Sequence, residues 1–297
     1  MEIQQLRGFY YSARMGSLSQ AAEKLSVTQS AVSQQIKTLE NELGVHLFNR
    51  YGPRKELTTD GEIFLELISG VVQEMDTLKL TFQDRKGEQK GLLTIAATTL
   101  MIMDVLPFIV KNFREQYPNV NLIILERRWN EVVSLALSGE IDFGLAPILH
   151  QVSNLEYVEL DSFERVLITS LDHPLAGKKN VTLKDISSYP MVVYEKGLVT
   201  RGEIDKVFNE AGLEVDTVLE ATNAETIKRY VEMGIGVAII PKIALFPTQI
   251  HRLKVINVNR YFGKMLYGMV RRKGKHLTSW AKNFLYILNP DLKDYIP

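Results

Sequence analysis

From Leu92 onward the chain alternates short apolar runs with segments of helical spacing, and no other feature restricts its fold as strongly. Leu92–Ala97, Asn119–Glu126, Asp142–Ala146, Glu164–Ser170, Met191–Tyr194, Val215–Glu220 and Val237–Ile240 read as strands. Helical spacing appears between them: in Ile109, Val110, Phe113 and Tyr117, in Glu131–Leu137 stopped by Gly139, in Arg201–Ala211 ended by Gly212, and in Glu225–Met233 ended by Gly234. Such alternation predicts parallel sheets covered on both faces. About ten such segments in roughly 200 residues fit two small α/β lobes.

The first sixty residues are different in kind. Ile3, Leu6, Phe9, Tyr10 and Ala13 recur at the spacing of one buried helical face. Gly16 interrupts, and Ser19 is the expected N-cap of a second short helix carrying Ala21, Ala22 and Leu25. After the turn Ser26-Val27-Thr28, Thr28 caps a third helix, Gln29 to Leu43, closed by Gly44. The last two helices have the proportions of a helix-turn-helix. In the third, Val32, Ile36, Leu39 and Leu43 share one stripe, while Ser30, Ser33, Gln34, Lys37 and Asn41 lie opposite and Gln29 projects at the first turn. Hydroxyl and amide side chains of this kind suit a helix lying in a major groove, where a solvated face would carry i,i+4 ion pairs. An ordinary amphipathic helix in a small bundle is the alternative. The following Arg50-Tyr51-Gly52-Pro53-Arg54-Lys55 sets three cations around a tight turn, as a wing gripping phosphates requires.

Thr59 and Glu62 then form the expected capping box of a longer helix with Phe64, Leu67, Val71, Met75, Leu78 and Phe82 in a near-heptad stripe. Asp84 to Gly91 reads as a hinge. The stripe needs a partner, either the chain's own domains or a second copy. The second copy is favoured, because one winged domain reads one half-site and a dimer reads two.

Composition excludes several classes of function. Without cysteine there is no disulfide framework, thiolate metal site or cysteine nucleophile, and with 35 cationic against 35 acidic residues no polycationic tail does the binding. The five histidines share no metal-ligand spacing, no G-x-S-x-G occurs, and Gly234-Ile235-Gly236 lacks the third glycine of a dinucleotide loop. An enzyme, a metal and a cofactor are therefore not expected. No signal-like N-terminus and no apolar run of about 20 residues is present, which predicts a cytoplasmic protein away from membranes.

Leu6-Arg7-Gly8-Phe9, Ser17 to Leu25, Val27 to Glu40, Leu43 to Arg50 and Leu57 to Gly61 resemble the N-terminal domain of the LysR-type transcriptional regulators. Further on, Ser138 to Ala146, Leu171 to Ala176 and Gly234 to Pro241 also look like that family, so the resemblance spans the chain. It implies an α+β multidomain fold: a winged helix-turn-helix (1–58), a dimerisation linker helix and hinge (59–90), and a two-lobed effector domain like a periplasmic solute-binding protein (91–297). Lobe I would comprise 91–163 and 265–297, and lobe II 164–264. By position, Gln29, Ser30, Ser33, Gln34 and Lys37 would face the groove, and Arg50, Arg54 and Lys55 the phosphates. Many family members have Pro and Arg where Ser30 and Gln34 stand, which implies a weaker phosphate grip.

The function implied is sequence-specific regulation of transcription, modulated by a small effector bound between the lobes; a solute-binding receptor without DNA function is the rival. The partners implied are double-stranded DNA with an interrupted inverted repeat and further copies of the chain, as a homodimer or homotetramer through linker helix and effector domain. In such a fold, ligands sit beyond the carboxyl ends of strands. Thr98 and Thr99, Pro147, Thr200 with Arg201, and Thr222 should therefore converge, although each Thr can equally be a plain helix cap. Leu106-Pro107, Phe113 and Tyr117-Pro118 look closer to the sulfur-assimilation branch of the family. That branch has polar residues at Leu100 and Met101, so here either a small anion or a partly apolar organic acid is expected, with Arg201, Arg127 or Arg128 as carboxylate partner.

Overall fold

The structure is a computed structural model and describes residues 1–49, 56–85, 90–245 and 250–294. It divides into two compact units, residues 1–90 with 138–140 and residues 91–137 with 141–297.

In the first unit, α1 (Ile3–Met15), α2 (Leu18–Leu25) and α3 (Gln29–Leu43) enclose Phe9, Tyr10, Ala21, Ala22, Val32, Ile36 and Leu39. Ile3 lies outside this core and is exposed, being in the first turn. The cap of α2 is Ser17, whose hydroxyl accepts from Gln20 N–H, in place of the expected Ser19. Thr28 caps α3 by accepting from Ala31 N–H, and Gly44 ends it in the left-handed conformation at φ 71°. Glu40 has a structural role that its late position on α3 hides: it accepts the N–H groups of Leu47 (2.8 Å) and Phe48 (3.3 Å). Phe48 then pairs antiparallel with Leu57, so the described ends of the expected wing do meet. The wing residues Arg50, Arg54 and Lys55 lie outside the described residues.

The long helix α4 (Thr59–Arg85) begins one residue from the predicted cap. Thr58 is the cap, accepting from Gly61 N–H at 3.0 Å while donating to the carbonyl of His46. One face of α4 packs into the N-terminal core through Phe64, Ile68 and Val72, with the Phe64 ring 5.5 Å from that of Phe9. Phe64 thus leaves the predicted stripe. Arg7 and Tyr11 of α1 both bind Asp76, and Gln73 donates to Tyr10, so polar contacts extend the anchorage of α4. Leu67, Val71, Met75 and Leu78 remain exposed along the face of the helix beside that buried one.

The second unit runs β1 (Gly91–Ala97), α5 (Leu106–Gln116), β2 (Val120–Glu126), α6 (Trp129–Ser138), β3 (Phe143–Pro147), β4 (Leu155–Thr169), α7 (Leu183–Ser187) and β5 (Met191–Tyr194). It continues with α8 (Val199–Glu210), β6 (Thr217–Ala221), α9 (Ala224–Glu232), β7 (Ala238–Pro241), β8 (Lys254–Asn257), α10 (Asn259–Phe262), β9 (Lys264–Arg272) and α11 (Ser279–Leu288). In lobe I, β1 pairs parallel with β2 and β3, as alternation predicts. The sheet is not parallel throughout, however. β9 is antiparallel to both β3 and β4, and β4 is antiparallel to β7 and β8. The reason is topological: the chain leaves lobe I along β4 and returns along β9, and two strands crossing in opposite senses must pair antiparallel. Their register slips between Glu159 and Asp161. In lobe II, β5 and β6 are parallel.

Each lobe has its own core. Phe113, Phe143, Trp280 and Phe284 fill lobe I beneath α5 and α11, and Val132, Val133 and Ala136 of α6 cover the other face. Phe208, Ile227, Val231, Ile239 and Ile240 fill lobe II. The motif Gly139 to Asp142 has a mechanical purpose: Asp142 accepts from Thr94 N–H at 2.8 Å and returns its own N–H to Thr94 O, locking β1 beside β3.

A Cβ on Gly61 would lie 2.1 Å from the carbonyl oxygen of Leu47, a backbone atom that cannot swing aside. Gly61→Ala is expected to cost about 2–3 kcal/mol, as overpacking of a tight contact does. A lower urea midpoint in far-UV circular dichroism is the check.

Candidate functional site

Burial of Val32, Ile36 and Leu39 turns the other side of α3 to solvent. Gln29, Ser30, Ser33, Gln34 and Lys37 are all exposed there, as predicted. The turn orders its near end. Ser19 donates to Gln29 Oε1 at 3.1 Å, and the hydroxyls of Thr28 and Ser30 are 3.0 Å apart. Ser19, misread as a cap, therefore steadies the Gln29 amide, whose nitrogen keeps both donors. The face offers hydrogen-bond donors and acceptors with one cation, Lys37.

In the second unit the two lobes line a cleft of about 850 Å³. Thr98, Thr99, Leu100 and Pro147 enter it from lobe I, and Thr200 and Thr222 from lobe II, so six of the predicted residues converge. Thr98 Oγ1 is buried and has no hydrogen-bond partner among the described residues. Thr99 donates to Glu126 at 2.6 Å, and Asn223 caps α9 by accepting from Thr226 N–H. Arg128 reaches across the cleft, its Nη2 lying 3.1 and 3.2 Å from the two carboxylate oxygens of Glu195.

Two predicted residues stay out of the cleft. Met101 is buried in the lobe I core, because the chain turns its side chain inward there. Arg201 is buried too, but it points back into lobe II. Its Nε donates to Asp205 at 2.8 Å, and its Nη1 donates to Tyr194 O at 2.7 Å and to Glu220 at 3.0 Å. Two carboxylates satisfy its charge, so it braces α8 against β5 and β6 and is not a ligand partner.

Residues 3–62 match the family described as bacterial regulatory helix-turn-helix protein, lysR family, and residues 86–292 match the LysR substrate binding domain. The chain belongs to the LysR family of transcriptional regulators. It is 34% identical over 297 residues to the regulator CysB of Burkholderia cenocepacia, covering 98% of this chain and 94% of that one. The cofactor-binding domain of the Cbl transcriptional regulator superposes with a TM-score of 0.63 at 28% identity, covering 70% of this chain and 93% of that one. A full-length OxyR variant of Pseudomonas aeruginosa shares the fold over 100% of this chain and 97% of its own, with TM-score 0.74 and 20% identity. This LysR regulator accordingly joins a DNA-binding helix-turn-helix to an effector-binding domain, and the rival reading as a stand-alone solute receptor has no support.

Several effector-domain residues escape sequence reasoning. Tyr194 and Tyr267 line the cleft, and burial raises both phenols above the ordinary tyrosine range. Asp104 lines it as well, on a π-helical turn, Met101–Val105. Pro107 has no N–H to continue regular bonding, and Leu106 N–H reaches five residues back to Met101 O. The available signal was a lone acid within the apolar run Leu100 to Leu106, directly ahead of Pro107.

Desolvation raises the Asp104 pKa to about 6, partly offset by Lys228 and reinforced by Glu225. A carboxyl whose folded pKa exceeds its unfolded value binds more protons when folded, so stability falls as pH rises from about 4 through about 6. Asp104→Asn is expected to raise the melting temperature above that window and to leave it unchanged below, as measured by melting across pH.

Proposed function

We propose that α3 enters the major groove of operator DNA, with Gln29, Ser30, Ser33 and Gln34 reading base edges and Lys37 beside them. Arg50, Arg54 and Lys55, outside the described residues, supply salt-dependent phosphate contacts in this reading. What carries it is the sidedness of α3: every predicted groove residue is exposed, while Val32, Ile36 and Leu39 are buried. A helix whose outward face is short, neutral and hydrogen-bonding is suited to close approach by a duplex.

The regulator binds, in this proposal, as a homodimer or homotetramer on an interrupted inverted repeat, acting in the cytoplasm and without catalysis. Residues 1–58 bind DNA, 59–90 join subunits, and 91–297 sense the effector through lobes 91–163 with 265–297 and 164–264. The dimer contact is assigned to the outer stripe of α4, where Leu67 is 67% and Leu78 63% exposed. A helix anchored by Phe64, Ile68 and Val72, with an exposed apolar stripe running alongside them, is suited to pairing with a second copy of itself. The effector is a small, partly apolar organic acid enclosed between Leu100 and Met103 on one side and Leu198 and Val199 on the other. Thr98, with its buried and unpartnered hydroxyl, and Thr200 are proposed as polar contacts. Closure of the lobes around it biases subunit geometry and so DNA bending.

The experiment is a mobility-shift comparison of native and substituted proteins on a selected operator. Gln29→Ala and Ser33→Ala should each lose about 1–3 kcal/mol of discrimination between matched and mismatched bases. Lys37→Ala should weaken all duplexes alike. Equal loss on matched and scrambled duplexes for all three variants overturns the assignment. A Leu67→Asp, Leu78→Asp double variant is expected to sediment as monomer in analytical ultracentrifugation and to lose cooperative operator binding.

A further inference from the structure

Most charged groups in the cleft wall are already engaged within the chain. Glu126 accepts from Thr99, Glu131 accepts Arg128 N–H at 3.0 Å, Glu195 pairs with Arg128, and Glu225 accepts from Lys228. Asp104 is different. It lines the cleft, yet among the described residues it forms no hydrogen bond and no ion pair. The charged and titratable groups facing it are Lys228 and Glu225 of α9, Tyr194 of β5 and Tyr267 of β9. The Lys228 ammonium is held by Glu225 and by the carbonyl of Ala244. A half-buried carboxylate left without a donor is destabilising, and a group of that kind in a cleft is poised for a ligand to complete.

We infer that the effector carries a protonated amine whose N–H groups donate to Asp104. This rests on the reading of the cleft as the effector site and narrows the ligand to an ammonium-bearing molecule. The wall's charge agrees. The lining carboxylates Asp104, Glu126, Glu131, Glu195 and Glu225 outnumber the cations Arg127 and Arg128 among the described lining residues, even with Lys228 of α9 counted beside them. An acidic excess of this kind repels a bare inorganic anion and draws in a cation, so an organic acid enters more readily with a compensating amine. Asp104 on the lobe I π-turn also faces α9 of lobe II. An ammonium seated there bridges the two lobes, which couples its binding to closure.

The rival is a ligand carboxylate accepting a proton from neutral Asp104, and pH separates the two. Pairing with ammonium needs the carboxylate ionised and tightens as pH rises through about 6, whereas pairing with a carboxylate tightens as pH falls. Calorimetric titration of the full chain with butylammonium, 4-aminobutanoate and butanoate, at about pH 5 and about pH 7.5, brackets that pKa of about 6. Both amines should bind the native chain more tightly at the higher pH, and Asp104→Asn should weaken them at least tenfold there. The native chain's pH slope serves as the readout should the variant fail to fold. Binding of butanoate alone, or amine binding indifferent to pH and to Asp104→Asn, overturns the amine inference and leaves the effector cleft standing. Failure of all three probes counts against both.

Discussion

The burial of Val32, Ile36 and Leu39 against Phe9, Ala21 and Ala22 is the contact on which the DNA-binding unit depends. Each buried aliphatic side chain contributes on the order of 1.5–3 kcal/mol, far more than any polar contact on the outer face. The apolar stripe therefore decides how α3 is rotated, and the opposite face is free to be chosen for recognition alone. Ser17, Thr28 and Glu40 refine that placement by fixing the helix ends and the strand that follows. The same core continues into α4 through Phe64, Ile68 and Val72, so the element that presents the apolar stripe is joined by a common core to the element proposed to read the groove.

In the effector domain the equivalent constraint is the crossing of β4 and β9. Two independent cores, joined by an antiparallel strand pair, can change their relation by small adjustments at the crossing without disturbing either core. The irregular register at Glu159 to Asp161 lies within that pair. The proposed ligand contacts, divided between Thr98 and Asp104 on one lobe and Thr200 and Thr222 on the other, would then be sensitive to lobe closure. Arg128 and Glu195 already hold the lobes together across the opening.

Sequence patterns were informative wherever one element's own periodicity decides the outcome. The faces of α3, the strands β1, β2 and β5, and the convergence of Thr98, Thr200 and Thr222 follow from spacing and from where strands end. They were misleading wherever several equivalent residues compete. Ser17 and Ser19, or Thr58 and Thr59, carry the same hydroxyl, and only backbone geometry selects the cap. The antiparallel crossing escaped because alternation reports on neighbours in sequence, whereas β4 and β9 are about a hundred residues apart. Arg201 misled for a related reason: Asp205 one turn on was visible, but the claims of Glu220 and the Tyr194 carbonyl were not. Asp104 needed the π-turn before Pro107 to reach the cleft.

If α3 reads base edges from within the major groove, the bases there are shielded when the regulator binds. Dimethyl sulfate footprinting on a selected operator reads this out, because guanine N7 lies on the floor of that groove. Protection of N7 positions is expected in two symmetric clusters, one per subunit, while adenine N3 in the minor groove between them stays reactive. Bound complexes that leave every guanine N7 as reactive as in free DNA would rule out placement of α3 in the major groove.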